Sequence, residues 1–239
     1  MQSTSSTSLS GPRLVRQLAG LAGTAADAPV QPMSQLLSHW LEWKHAVALA
    51  RVLDAPAADA RADAPPAPAC ADAAAELAAT RTALAQSVAR DRAFAAAPDG
   101  PRPPFEWTYF QQRHLALQHL LEGGTARLRE SLRQRLAAGS PALARLAAID
   151  AVMEQALAGP TRTLLARARP VLEHRFHALQ PPADAAPTPA PEAPAWLDSF
   201  RHDLRELLLA ELDIRLQPAE GLLAALGPAP VEPHATNPS

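Results

Sequence analysis

Apolar residues recur along the chain at intervals of three, four and seven, between stretches crowded with proline, and that alternation predicts helices joined by linkers. A short first helix is expected to start near Ser10, with Pro12 in its first turn, and to place Leu14, Leu18 and Leu21 on one face before Gly23. A second, over 33–53, carries Leu36, Leu37, Trp40, Trp43, Val47 and Ala50 on a wide apolar stripe. The third, over 71–97, is alanine-heavy. Its larger apolar anchors are Leu77, Leu84 and Val88, so helix propensity supports it better than burial does. The longest spans 105–138 with Phe110, Leu117, Leu121, Leu128, Leu132 and Leu136 in register. Two adjacent glycines, Gly123 and Gly124, each cost about 1 kcal/mol inside a helix, so a kink or break is an alternative there.

Ser140 reads as the N-cap of a fifth helix, with Pro141 at its first position and Leu143, Leu146, Ile149, Met153 and Leu157 following up to Gly159. A sixth is expected over 160–179 with Pro170 in its middle. A seventh over 195–216 carries Trp196, Phe200, Leu204, Leu207, Leu208 and Leu212, and a short helix over 219–226 follows it.

Proline groups at 56–68, 98–104, 181–194 and 218–238 divide these segments, because proline lacks a backbone donor and clashes with the preceding turn. The implied organisation is a disordered start (1–10), an N-terminal helical hairpin (11–54), a Pro/Ala linker (55–70), a central bundle (71–180), a second linker (181–194), a C-terminal helical segment (195–226) and a disordered tail (227–239). The fold class is all-α: an elongated bundle or array of helical hairpins with about six to eight helices, with packing completed only by self-association as an alternative. No fixed-period repeat is visible.

Composition narrows the picture. The chain of 239 residues is 48% hydrophobic yet only 4% aromatic, and Ile149 and Ile214 are its only isoleucines. A parallel sheet around a nucleotide crevice needs Val/Ile runs that are absent. A single cysteine, Cys70, excludes an internal disulfide framework and a Cys-based zinc site. The formal net charge of −2 gives no global pull toward nucleic acid or anionic lipid. Locally, arginine outnumbers acid between Arg113 and Arg175, and acid outnumbers arginine between Trp196 and Glu220. No signal peptide and no spanning segment is evident, so a cytoplasmic location is expected.

Candidate chemistry is thin. Glu42 and His45 make an E-x-x-H spacing and His174 and His177 lie one turn apart, so these four form the best metal-ligand set, although a di-iron site needs a second copy and further glutamates. Nucleophile elbows and phosphate loops are missing: Ser140 serves as a cap, and the lone lysine, Lys44, stands in WLEWKHA. No catalytic residue, metal or cofactor is assigned. Arg127, Arg129, Arg133 and Arg135 form a basic stripe that suits phosphate contact, but Glu130 interrupts it and no aromatic stands beside it. In a chain so poor in aromatics, Trp40, Trp43, Trp107, Phe110, Trp196 and Phe200 read as anchors. With Leu204, Leu207 and Leu208 they are the candidate partner contacts, against the alternative of ordinary core packing.

Several segments, namely GPRLVRQLAGL, SQLLSHWLEWKHAVAL, QQRHLALQHL with LRESLRQRL, SPALARLAAIDAVMEQAL and WLDSFRHDLRELLLAELDIRLQPAEGLLAAL, resemble a bacterial family known as domain of unknown function 3348. The resemblance covers about residues 11–226 outside the linkers and transfers no catalytic residues. It implies a continuous fourth helix, where this chain has Gly123-Gly124. It also implies a cytoplasmic accessory of a cell-envelope complex, because members are encoded beside envelope proteins of the peptidoglycan-binding type. The leading expectation is a non-enzymatic helical interaction or adaptor protein, with amphipathic helices that pair with themselves or with a partner protein. No small-molecule ligand and no membrane insertion are expected. Nucleic-acid binding through Arg127 to Arg135 is the alternative, and a metal-dependent enzyme using Glu42, His45, His174 and His177 the second alternative.

Overall fold

The computed structural model describes residues 13–23, 41–54, 67–94, 106–181 and 195–227. Among them are seven helices and no strand: α1 (Arg13–Ala22), α2 (Trp43–Asp54), α3 (Ala67–Ala89), α4 (Trp107–Ala137), α5 (Pro141–Ala166), α6 (Ala168–Leu179) and α7 (Ala195–Leu226). The expected positions Leu36, Leu37, Trp40 and Phe105, the bulk of both linkers and the two ends of the chain lie outside the described residues.

The fold is organised around α7. Its apolar positions Leu197, Phe200, Leu204, Leu207, Leu208, Leu212, Leu216, Leu222 and Leu226 form a stripe wide enough to meet several neighbours, and all are buried. Around it pack α1, α3, α4, α5 and α6, and one core runs from Leu14 to Leu226. The C-terminal segment, set apart in the sequence by a Pro/Ala linker, packs within its own chain as the shared centre of the bundle. It is also one helix rather than two, because it continues through Pro218. A proline in a helix interior costs about 3 kcal/mol. Beyond it Leu222 and Leu226 are each 3% exposed, and burying two leucines returns about 3–6 kcal/mol. Packing outweighs the lost hydrogen bond.

The same competition decides other boundaries. Gly159 and Pro160 do not end α5, which continues to Ala166 and buries Leu165. The break falls at Arg167 instead, so Pro170 sits in the first turn of α6, where a missing donor costs nothing. α3 starts at Ala67, inside the expected linker, with Pro68 in its first turn, and ends at Ala89 rather than near 97. Ser140 caps α5, its hydroxyl accepting from the Leu143 amide at 3.4 Å.

α4 runs unbroken through Gly123 and Gly124, and its six expected apolar positions are all buried. Gly124 is required by proximity: a Cβ there would stand 2.7 Å from Leu84 Cδ2 and 3.0 Å from Leu84 Cδ1. α3 crosses α4 against bare backbone. At Gly123 a Cβ would meet only Arg127 Nη1 at 3.5 Å, an ordinary contact.

Charge pairs tie the layers. Asp150 of α5 accepts from Arg129 Nε at 2.8 Å and Arg129 Nη2 at 2.7 Å, and from Arg133 Nη1 at 3.1 Å. Arg133 also reaches Glu154 at 2.5 Å. On the other flank of α4, Arg135 and Ser131 donate to Glu76 of α3. Three of α7's acids go to α1 and α3: Arg13 bonds Glu206 and Asp213, and Arg81 bonds Asp213 and Glu220. Arg113 pairs with Asp91 and Arg175 with Asp203.

Candidate functional site

Most of the aromatics proposed as partner contacts converge inside the protein. Phe176 is the hub, with ring centroids 5.0 Å from Phe200, 5.5 Å from Trp196, 5.7 Å from Phe110 and 6.0 Å from Trp107. Most of these contacts are edge-to-face or tilted, the arrangement that ring quadrupoles favour. Phe110, Phe200, Leu204, Leu207 and Leu208 are at most 1% exposed, while Trp107 and Trp196 lie half-buried against the core. Phe110, Phe200 and the three leucines are thus covered by helices of their own chain, whereas Trp107 and Trp196 keep part of their surface in solvent. Phe176, the hub of the cluster, was not singled out, although its place in VLEHRFHAL four residues after Leu172 matches a buried helical stripe.

Trp43 is the exception. It is 80% exposed, on a helix that buries none of its residues. α2 packs on α5 and on no other described helix, with Leu41, His45, Ala48 and Val52 half-buried on one face. Its opposite face exposes Trp43, Ala46, Ala50 and Leu53, a spacing of three, four and three that forms a straight seam. The order of sizes along it, large, small, small, large, reads the same in both directions. Flanking charges balance at each end. Glu42 and Lys44 pair at 2.8 Å near one, and Arg51 and Asp54 stand near the other. Lys44, first by hydrogen bond and then by charge, holds the Glu42 carboxyl below its ordinary range. Met153, Ile149 and Leu157 of α5 are only half-buried, so the α2–α5 layer is the least enclosed part of the bundle.

A second feature lies where α4 meets α7. His114 takes the place of an apolar residue in the α4 stripe between Phe110 and Leu117, and Glu211 does the same in α7 between Leu208 and Leu212. They face each other. Glu211 is fully buried, and both its oxygens accept from Gln118 Nε2 at 3.0 Å. His114 is 2% exposed; its Nε2 stands 3.5 Å from Glu211 Oε1 and has no hydrogen-bond partner among the described residues. One turn after Glu211, burial pulls the Arg215 guanidinium below its ordinary value against the opposing charges of Glu211 and Glu122, and its Nε is likewise buried and unpartnered. This polar group forms one wall of a cleft of about 250 Å³ whose other walls carry Arg162 and Leu165 of α5 and Arg169 of α6. A charged residue at a stripe position was the signal in the sequence that marked Glu211.

The remaining candidate sets do not assemble. Arg129, Arg133 and Arg135 are engaged by Asp150, Glu154, Glu130 and Glu76, and only Arg127 of that stripe is exposed. Burial alone would lower Arg133, but its bonds to Glu130, Glu154 and Asp150 outweigh that and raise it above its ordinary value. Their partners come from α5, α3 and, for Glu130, α4 itself, not from the acidic α7. Glu42 and His45 on α2 are not brought to the exposed His174 and His177 on α6, and among the described residues no three His, Cys, Asp or Glu are grouped to hold a metal ion. Nor is any described helix long and apolar enough to cross a membrane.

The family model described as "Protein of unknown function (DUF3348)" matches residues 1–228. The chain belongs to this family. Neither a curated protein nor a solved structure matches it. In this DUF3348 protein, α4 is the continuous helix that the resemblance implies, Gly123-Gly124 included.

Proposed function

We propose that this DUF3348 protein is a non-enzymatic helical interaction protein that works as a homodimer seamed along α2. The observation that carries the reading is the exposed stripe Trp43, Ala46, Ala50 and Leu53 on a helix with no buried residue. A tryptophan this exposed leaves much of its roughly 150–250 Å² of apolar surface in water, a strong drive to associate. The occupant is a second copy because the stripe is its own complement. An antiparallel two-fold pairing sets Trp43 against Leu53 of the other copy and Ala46 against Ala50, small against small, so the helix axes approach closely. Each end of the seam is charge-balanced, so no like-charged ends are forced together. A cytoplasmic location and a role beside a cell-envelope complex belong to the same proposal and rest on the family resemblance.

The test is the mass of the full-length protein in solution by sedimentation equilibrium over a range of concentrations, beside Ala50→Arg. Arginine is a good helix former at this exposed position, so the fold is retained, and unchanged far-ultraviolet circular dichroism verifies that. The expected result is a dimer for the parent chain and a monomer for the variant. A monomeric parent, or a variant that dimerises equally well, overturns the proposal.

A further inference from the structure

The cleft between α4, α5, α6 and α7 is a binding site of a different kind, and it uses none of the α2 seam. We infer that it takes a small organic anion, a carboxylate or phosphate ester attached to an apolar group about the size of one aromatic ring.

Three guanidinium groups line the cleft, Arg162, Arg169 and Arg215, each from a different helix. Elsewhere in the bundle several arginines on facing helices reach carboxylates, as the pairs to Asp150, Glu76, Asp213 and Asp91 show. These three reach none: Arg162 donates only to the Ala158 carbonyl at 3.3 Å, and Arg169 and Arg215 have no hydrogen-bond partner among the described residues. Like charges gathered on one cleft repel, and one more carboxylate on the cleft wall would relieve that. Glu122 is the only carboxylate lining the cleft, and Glu211 is turned away into its bond with Gln118. The excess is positive.

The second observation is His114. This side chain is 98% withdrawn from solvent by its 2% exposure and lines the cleft, and its Nε2, 3.5 Å from Glu211 Oε1, makes no hydrogen bond among the described residues. A buried nitrogen without a hydrogen bond is costly, and it makes this wall of the cleft polar beside the three arginines. Guanidinium forks bind carboxylate and phosphate oxygens in pairs, which suits Arg162 and Arg169 at the open side. Leu115, Leu165 and Ala166 supply an apolar wall. Size sets the scale of the rest of the ligand: a cavity of about 150 Å³ holds benzene, and this cleft of about 250 Å³ has room for a ring and its acid group.

The experiment is a titration of the full-length protein with benzoate, phenyl phosphate and, as uncharged and cationic controls, benzyl alcohol and benzylamine, read by calorimetry and by amide chemical shifts in α4 and α5. One or both anions are expected to bind with shifts at Leu115, Gln118 and Leu165, and whichever binds tighter assigns the acid as carboxylate or phosphate. Arg162→Ala and Arg169→Ala sit at exposed positions and preserve the fold. Each should weaken anion binding by about tenfold, the value of one charge-assisted hydrogen-bonding partner. Absence of binding by both anions, equal binding of benzyl alcohol, or affinities untouched by the two substitutions would overturn the inference.

Discussion

Replacing each of the two glycines of α4 by alanine isolates a single steric contact. Both lie mid-helix in the same continuous helix, so both gain the same propensity, about 1 kcal/mol of stabilisation for alanine over glycine. At Gly123 nothing opposes that gain, because the new methyl group would stand 3.5 Å from the tip of Arg127. At Gly124 it would fall 2.7 Å from Leu84 Cδ2, 3.0 Å from Cδ1 and 3.3 Å from Cγ, on a leucine only 7% exposed. Three atoms of one buried side chain must move, and inserting a methylene into a packed interface costs about 1–3 kcal/mol. Since propensity cancels between the two variants, their difference is the steric cost alone. Gly123→Ala should raise stability by up to about 1 kcal/mol, and Gly124→Ala should fall below it by about 1–3 kcal/mol. The assay is urea unfolding followed by circular dichroism, with matched slopes confirming a common unfolded state. A Leu84→Ala background supplies the control. There the added methyl fills vacated space, so Gly124→Ala should become stabilising, a coupling between neighbours that a double-mutant cycle measures directly. Equal stabilisation by both alanines in the parent background would refute the close α3–α4 approach.

Other consequences follow from the charge pairs and the aromatic hub. Asp150→Ala strips the acceptor shared by Arg129 and Arg133, whose side chains are 15% and 12% exposed, and should cost about 3 kcal/mol in urea unfolding; a loss indistinguishable from zero would mean that the pair is solvated. The Glu130 carboxyl is held below its ordinary value by hydrogen bonds from Arg133 and then Gln134, so the folded state releases its proton more readily than the unfolded chain. Its contribution to stability is therefore present above the unfolded value of 4.5 and lost as pH falls through the lower folded one. Glu130→Gln should flatten that part of the acid limb, and an unchanged limb would count against the bond. Phe176→Ala should cost about 3–5 kcal/mol and shift the fluorescence of Trp107 and Trp196, which pack on that ring; intact stability with unshifted emission would remove Phe176 from the hub.

The helices were legible because periodicity survives into packing. Phe110, Leu117, Leu121, Leu128, Leu132 and Leu136 read as one face and are one face. Boundaries marked by proline were not, because the penalty at Pro160 or Pro218 is local whereas the burial that overrides it depends on helices far away in sequence. Charge partners failed for a related reason. The basic centre and acidic end could be counted, but only the folded arrangement decides that Arg129 meets Asp150 and not an acid of α7. The cleft was hidden because its arginines come from three helices and share no spacing, while Glu211 and His114 looked like outward polar residues until the apolar stripes were overlaid on them. Scarcity of aromatics singled out Trp43 and Phe200 alike but carries no information on exposure, and the fold leaves Trp43 in water and puts Phe200 in the core.

Because α7 is the centre of the bundle yet follows every other helix along the chain, the order of synthesis and the order of packing run in opposite directions. Arg13 waits for partners about 200 residues downstream. At translation rates of about 5–20 residues per second, α1 is made some 10–40 s before the surface it must cover exists, and α6 only about 1–3 s before it. During that interval their leucine stripes are open to one another and to other nascent chains, and the slow step becomes the arrival of α7 rather than the formation of any helix. In a bundle arranged this way, any delay before α7 emerges lengthens the period in which aggregation competes with folding.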